Sequence, residues 1–263
     1  MQRTVTARLE LSLSARTDLV LALLPATPAA VEESLSITLD GRTLPPRELR
    51  DDHGTRLCRL QADAGRLLVH YEGRISGASA PAEVDELDLI RYLRPSRYCE
   101  SDALMPTARG EFAGLAGHAL LRAVTQWVAD RLRYVPGASL PTDGATRTLL
   151  AREGVCRDYA HLLIALLRAL DVPARLVAVY APGLDPMDFH AVVEAHLEGA
   201  WWLLDATRLA PRQSLVRIAT GRDAADTAFL TNHLGEVHLE SLEVGALAEP
   251  LPSDDGDAPV RMG

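Results

Sequence analysis

The stretch Gly-Val-Cys-Arg-Asp-Tyr-Ala-His-Leu, residues 154–162, places a cysteine at the first position of a predicted helix. Apolar residues then recur three and four apart, and Pro173 limits the helix, so we expect it to run from Cys156 to Leu170. Its inner face would comprise Tyr159, Ala160, Leu163, Leu167 and Leu170. Partial positive charge at a helix start favours thiolate over thiol, which makes Cys156 a candidate nucleophile.

A structural role is the alternative for any cysteine, because buried cysteines commonly act as small apolar side chains. We assign that role to Cys58, in a strand-like run, and to Cys99, in a linker, since neither begins a helix. Three widely spaced cysteines do not indicate a disulfide framework and are typical of a reducing compartment.

Three consecutive strands follow this helix, at Arg175 to Tyr180, His190 to Leu197 and Trp201 to Ala206. Helices followed by consecutive strands indicate an α+β domain. If Glu198-Gly199 form a two-residue turn, residue 197 pairs with 200 and 192 lies opposite 205.

That register makes His190 and Asp205 diagonal neighbours on one face, within reach of a hydrogen bond. A carboxylate that orients a histidine is what the base of a nucleophile requires. The alternation of the strand predicts that His190 faces a cleft or solvent, with Trp201 as a wall on the same side. A surface histidine beside a turn-forming aspartate is the alternative interpretation.

The first hundred residues predict an antiparallel β domain. Period-2 alternation runs through Val5 to Leu13, recurs at Leu35 to Leu39, and a third candidate strand covers Leu67 to Ile75. We therefore place a β domain at residues 1–100 and a catalytic domain at 101–247, with further helices at Phe112 to Tyr134 and Ala145 to Arg152. Residues 248–263, rich in Asp, Pro and Gly, are predicted to be a disordered tail.

Composition excludes several classes of function. With 27 basic and 36 acidic residues the net charge is −9, which disfavours nucleic acid as a partner. No segment has the apolar length of a membrane span and the N-terminus lacks a secretory signal, so we expect a cytoplasmic protein without a membrane partner. No metal or cofactor is expected, since His190 and His196 would lie about 20 Å apart along a strand and no glycine-rich phosphate motif occurs.

Four segments together resemble the bacterial transglutaminase-like proteins: residues 154–162, 167–177, 189–194 and 203–207, with the order Cys, His, Asp. The resemblance covers roughly residues 110 to 230 and implies a papain-like α+β core, with the cysteine at the start of a central helix packed on an antiparallel sheet. It also implies that Cys156 is the nucleophile, His190 the base and then acid, and Asp205 the orienting carboxylate. Val192 stands where family members often have Trp.

The predicted function is that of a cysteine-dependent amide enzyme acting on a protein or peptide through a thioester. Hydrolysis, proteolysis and transfer to an amine stay open, as does the oligomeric state. A catalytically inactive domain of this family, used as a protein-binding scaffold, is the alternative from another class.

Overall fold

The structure is a computed structural model that describes residues 1–26, 31–77 and 80–262, apart from the side chain of Val31. The fold is α+β, as predicted. Its strands are β1 Gln2–Leu13, β2 Thr17–Leu21, β3 Val31–Leu39, β4 Arg42–Thr43, β5 Arg47–Arg50, β6 Arg56–Ala62, β7 Gly65–Ser76, β8 Arg133–Tyr134, β9 Glu153–Gly154, β10 Ala174–Tyr180, β11 Phe189–Leu197, β12 Ala200–Leu204, β13 Val216–Gly221, β14 Leu230–His233 and β15 Val237–Glu249. Its helices are α1 Glu86–Arg91, α2 Ser101–Glu111, α3 Gly117–Arg131, α4 Ala145–Ala151, α5 Cys156–Ala169 and α6 Ala224–Thr227, with a short 3-10 turn at Arg212–Ser214.

Two antiparallel sheets form an N-terminal β module, with strand orders β15-β1-β7-β3-β4 and β14-β2-β6-β5. The alternation in β1 buries Val5, Leu9 and Leu11 in the module's apolar core. Leu19 of β2 and Leu60 of β6 join the same core from the second sheet. The period-2 pattern therefore predicts both the strands and the face that they bury.

Both sheets of this module take a strand from beyond residue 229. Strand β15 pairs with β1 from Gln2 opposite Glu249 to Leu13 opposite Val237, and β14 pairs with β2. This arrangement differs from the predicted division at residues 100 and 247, and residue 247 lies inside β15. The predicted boundaries assume that each domain is one continuous stretch of sequence, whereas strand pairing can join segments at any separation along the chain.

Residues 250–262 contain no helix or strand but lie against the core, which differs from the predicted disordered tail. The Asp254 carboxylate accepts hydrogen bonds from the buried Arg212 side chain at 2.8 and 2.9 Å. The Leu203 N–H donates to the Val260 carbonyl, and Met262 is buried. Composition could not reveal this anchoring, because it depends on the partner Arg212. Gly263 lies outside the described residues.

The α+β core packs helices on the antiparallel sheet β12-β11-β10-β13. Helix α5 is buried on all sides from Asp158 to Ala169, so the predicted inner stripe was too narrow. The reason is its central position, with α2, α3 and α4 packed against it as well as the sheet. The helix expected over residues 112–134 is α3 and is shorter, while α2 was not predicted.

Within residues 1–26, 31–77 and 80–262, no helix is both long enough and apolar enough to cross a bilayer. The cytoplasmic location stays a prediction.

Candidate active site

Cys156 is the first residue of α5, and the local sequence explains why the helix begins there. Val155 is extended, and its N–H donates to the Asp158 carboxylate at 2.8 Å. Val155 has no side-chain oxygen, so only this half of a capping box is made. Gly154 is required before it, because a Cβ at that position would lie 2.7 Å from the Asp158 side chain. Cys156 is partly exposed to solvent.

The β11–β12 hairpin has the predicted register. Glu198 and Gly199 both have positive φ angles, as a two-residue turn of this kind requires, and Leu197 pairs with Ala200. The ladder continues to Val193 opposite Leu204. At its end His190 Nε2 and Asp205 Oδ2 lie 2.8 Å apart.

The His190 side chain has no exposed surface, so the prediction that it faces a cleft or solvent was wrong. Its Nε2 is occupied by Asp205, while its Nδ1 is buried and, among the described residues, has no geometrically defined hydrogen-bond partner. The side chain of Cys156 nevertheless lies close enough to act on the imidazole. Because Nε2 is taken, Nδ1 is the nitrogen available to the sulfur.

Electrostatics favour the charged forms of this pair. Burial by itself would lower the pKa of His190, but the charge and hydrogen bond of Asp205, together with Cys156, raise that pKa to about 10. Burial would likewise raise the pKa of Asp205, yet its bonds to His190 and Thr207 hold that pKa below its usual value. An imidazolium and a carboxylate are therefore paired inside the core.

Thr207 fixes the second oxygen of Asp205, a role that the sequence analysis missed. Its hydroxyl and its N–H donate to Asp205 Oδ1 at 2.7 and 2.8 Å, so the two carboxylate oxygens serve different partners. The Asp-Ala-Thr spacing was the available signal, because an aspartate commonly accepts from the backbone two residues later.

Tyr134 also lies at the site. The apolar periodicity predicts that it ends a helix, whereas in the structure it belongs to β8. Strand β8 pairs in parallel with β9, which puts Tyr134 opposite Gly154, two residues before the cysteine. The backbone N–H and the side chain of Cys156 both influence the pKa of the Tyr134 hydroxyl, which therefore lies beside them. Burial raises the pKa of Tyr134, and Cys156 raises it further, so the hydroxyl keeps its proton.

Trp201 does not line the site, contrary to the prediction. It is buried at the other end of the hairpin, opposite His196, with the Arg175 guanidinium 4.0 Å above its ring. Trp201 and His190 share a face of the sheet. Trp201 lies opposite His196, however, and six strand positions, about 20 Å, separate His196 from His190.

The other two cysteines differ from Cys156. Cys58 is buried in the apolar core of the β module, and Cys99 is buried in the apolar core that contains α5. Burial raises the pKa of Cys58 to about 11 and also raises that of Cys99. Both thiols are therefore poor nucleophiles in the folded protein.

The fold and site define a papain-like α+β protein with a cysteine at the start of its central helix. The family model of the transglutaminase-like superfamily matches residues 114–206. A candidate cysteine protease from Cytophaga hutchinsonii, known from its crystal structure, is 31% identical, with a TM-score of 0.86 over 97% of this chain and 92% of that one. The chain belongs to the transglutaminase-like superfamily, and these similarities support an enzyme of the cysteine kind.

Two uncharacterized mycobacterial proteins are also similar. That of Mycobacterium leprae is 30% identical over 115 residues, and that of Mycobacterium tuberculosis is 32% identical over 123 residues. The matching regions span 40% and 41% of this chain and 41% and 39% of those proteins, so the chain matches about two fifths of these curated relatives.

Proposed function

We propose that the protein is a cysteine-dependent amide enzyme whose catalytic residues are Cys156, His190 and Asp205. The Cys156 sulfur attacks the carbonyl carbon of a peptide bond or a glutamine side-chain amide, and a C–S bond forms. His190 gives a proton to the nitrogen as the C–N bond breaks, which releases an amine or ammonia and leaves a thioester. Water or a second amine then attacks the thioester while His190 takes its proton, and the C–S bond breaks, which releases the acid or amide product and returns the Cys156 sulfur.

The raised pKa of His190 supports this sequence of proton transfers. At neutral pH the imidazole is protonated. In the proposed reaction the ring holds the proton that the Cys156 thiol loses before the sulfur attacks. The protonated imidazole already carries the proton that the leaving nitrogen requires, so the acid step needs no further proton from water. Asp205 and Thr207 hold the ring so that Nδ1 faces the reacting atoms.

Two hydrogen-bond donors are available for the oxyanion of the tetrahedral intermediate. The first is the Cys156 N–H at the helix start, where the helix dipole also favours negative charge. The second is the Tyr134 hydroxyl, whose position beside the N–H and the side chain of Cys156 supports this role. A substrate carbonyl entering between them would meet both donors.

One observation carries the proposal: a buried His190–Asp205 pair at 2.8 Å adjoins a partly exposed cysteine at a helix start. The partial exposure of Cys156 favours an enzyme over an inactive scaffold, because a substrate can reach the sulfur while the base stays shielded. The substrate is proposed to be a protein or peptide.

Thiol alkylation across a pH series, read by mass spectrometry on the folded protein, tests the proposal. Cys156 should react faster than Cys58 and Cys99 and should continue to react below pH 7. His190→Ala should remove that advantage. His161→Ala is the matched control, since His161 is equally buried but belongs to a different hydrogen-bond network.

Equal and slow labelling of all three cysteines would overturn the proposal. A second readout is the acyl-enzyme itself: glutamine-containing peptides and activated esters should add their acyl mass to Cys156. Fast labelling of Cys156 with no acyl transfer from any such donor would favour the scaffold alternative.

A further inference from the structure

One carboxylate next to the candidate site has no role in the mechanism above. Asp188 ends the loop before β11, two residues before His190, and the period of an extended chain directs both side chains to the same side. Phe189, between them, instead packs on the apolar core of the β module. Asp188 is exposed, and its carboxylate accepts the Phe189 N–H at 2.7 Å.

The carboxylate of Asp188 lacks a cationic partner. Among the described residues, no arginine or histidine nitrogen lies within ion-pair distance of it, and its charge acts on His190 and Tyr134 from farther away. Partial shielding by its surroundings raises the pKa of Asp188, an effect that outweighs the opposing effects of the Phe189 N–H and the more distant His190.

The arginines that adjoin Cys156 and Tyr134 in the sequence are already paired. Arg157 donates to the Asp158 carboxylate at 3.0 Å and to the Leu140 carbonyl at 2.8 Å, and Arg133 pairs with Glu153 at 2.9 Å. Asp188 therefore contributes a negative charge that, within the described part of the chain, has no ion-pair partner, on the side of the site where His190 lies.

His190 identifies which half of a substrate meets this charge. In the proposed reaction the histidine exchanges its proton with the amine nitrogen, whether that amine leaves or attacks. The amine half of the substrate therefore lies on the histidine side, beside Asp188. A carboxylate there attracts a further positive charge borne by that half.

We propose that Asp188 is a specificity-determining residue that selects substrates with a cationic group in their amine half. This inference rests on the proposed function. The fitting chemistry is a basic residue after the scissile amide or, for acyl transfer, a diamine whose second nitrogen is protonated. The attacking nitrogen itself must be neutral, so the charge bound by Asp188 belongs to a different atom.

The composition of the chain suits an enzyme that selects amines. All 27 of its basic side chains are arginine, so none of its 263 residues offers a lysine ε-amine to its own thioester. Added amines can therefore be scored as acceptors without lysine modification of the enzyme.

The test compares wild type, Asp188→Asn and the matched control Asp185→Asn, which removes an exposed charge from the same loop. Methanethiosulfonate reagents with a cationic or a neutral head react with Cys156, and each rate is divided by that of a free thiol in solution. In wild type the cationic reagent should gain roughly fivefold over the neutral one. Asp188→Asn should remove that gain, and Asp185→Asn should keep it.

A second arm uses a glutamine-peptide donor with cadaverine or pentylamine as acceptor, and a donor with a basic or a neutral residue after the scissile amide. Wild type and Asp185→Asn should have a lower KM for cadaverine than for pentylamine, and a lower KM for the basic than for the neutral peptide. Asp188→Asn should show neither difference. The inference would be overturned if wild type showed no preference for the cationic reagent and substrates, or if Asp188→Asn kept that preference, even if turnover is fast. A charge preference at Cys156 that depends on Asp188, with no turnover of any donor, would refute the proposed function and leave the cation selectivity standing.

Discussion

Two buried histidines, His161 in α5 and His190 in β11, have opposite protonation behaviour. His161 Nε2 accepts the Ala224 N–H at 3.1 Å, and its ring stacks on Tyr98. Burial lowers the pKa of His161 to about 4, whereas His190 has its pKa raised to about 10. Both rings are shielded from water, so burial cannot explain the difference. A carboxylate hydrogen-bonded directly to the ring reverses the effect of burial, and only His190 has one.

Exchanging each histidine for glutamine should separate the two roles most strongly. His190→Gln removes the group that carries the proton, and kcat should fall by about 10⁴-fold or more. His161→Gln should cost about 1–3 kcal/mol of stability through a disturbed buried hydrogen bond. Its kcat at a temperature where it is folded should stay close to wild type. A similar loss of kcat in both variants would contradict the distinction.

Asp205→Asn removes the charge that distinguishes the two sites and keeps the shape of the side chain. The imidazolium then has no neutralising partner, so kcat should fall by about 10³–10⁴-fold. The alkaline limit of activity should also move to lower pH, because the pKa of His190 falls without the Asp205 charge and the ring no longer holds its proton at neutrality. A pH–rate profile measures both effects, and Asp223→Asn, near His161, is the matched control. An unchanged profile would show that Asp205 does not set the protonation of His190.

Tyr134→Phe tests whether the surroundings of His190 also contain the second oxyanion donor. Loss of one such donor typically lowers kcat by about 10²–10³-fold with little change in KM. Tyr159→Phe is the control, because its ring lies 6.0 Å from that of Tyr134 but its hydroxyl has no role in the mechanism. Equal kcat values for the two variants would remove Tyr134 from the proposed oxyanion site.

The smallest effect, and the one that compares the histidines directly, is the pH dependence of stability. His190 has a folded pKa above the unfolded value of about 6.5, so its contribution is complete below that pH and is lost as the pH rises towards 10. His161 has a folded pKa below the unfolded value, so its contribution is complete above about pH 6.5 and is lost as the pH falls towards 4.

Thermal unfolding of wild type and the two glutamine variants from pH 4.5 to 9.5 measures these slopes. The Tm advantage of wild type over His190→Gln should shrink by a few degrees in alkaline solution. Its advantage over His161→Gln should shrink in acid. Parallel slopes would mean that the two rings share one protonation state.

Local patterns were sufficient to predict the β11–β12 hairpin. A two-residue turn fixes which residues oppose each other, and a strand period of two fixes which side chains share a face. Those two rules brought His190 and Asp205 together without any long-range information. Helix α5 was equally accessible, since a cysteine followed by apolar periodicity marks its start.

The features that were missed depend on contacts between distant segments. Tyr134 reaches Cys156 only because β8 and β9 pair, and each has just two residues, too few to produce a periodic pattern. The burial of His190 results from the packing around it rather than from its own strand. The anchoring of residues 250–262 depends on Arg212, about forty residues away.

The pairing of β1 with β15 has a consequence for the order of folding. Ser12 and Glu240 are hydrogen-bonded across 228 residues, so this ladder has a very large loop-closure separation. During synthesis, β1 emerges first but cannot pair with β15 until the elements from β2 to β14 have been synthesised. Until then the edge of β1 that β15 will cover is open to other strands. We therefore expect slow folding that finishes in the β module. A fragment without residues 1–100 lacks β1, so the edge of its β15 stays unpaired, and it should aggregate rather than fold alone.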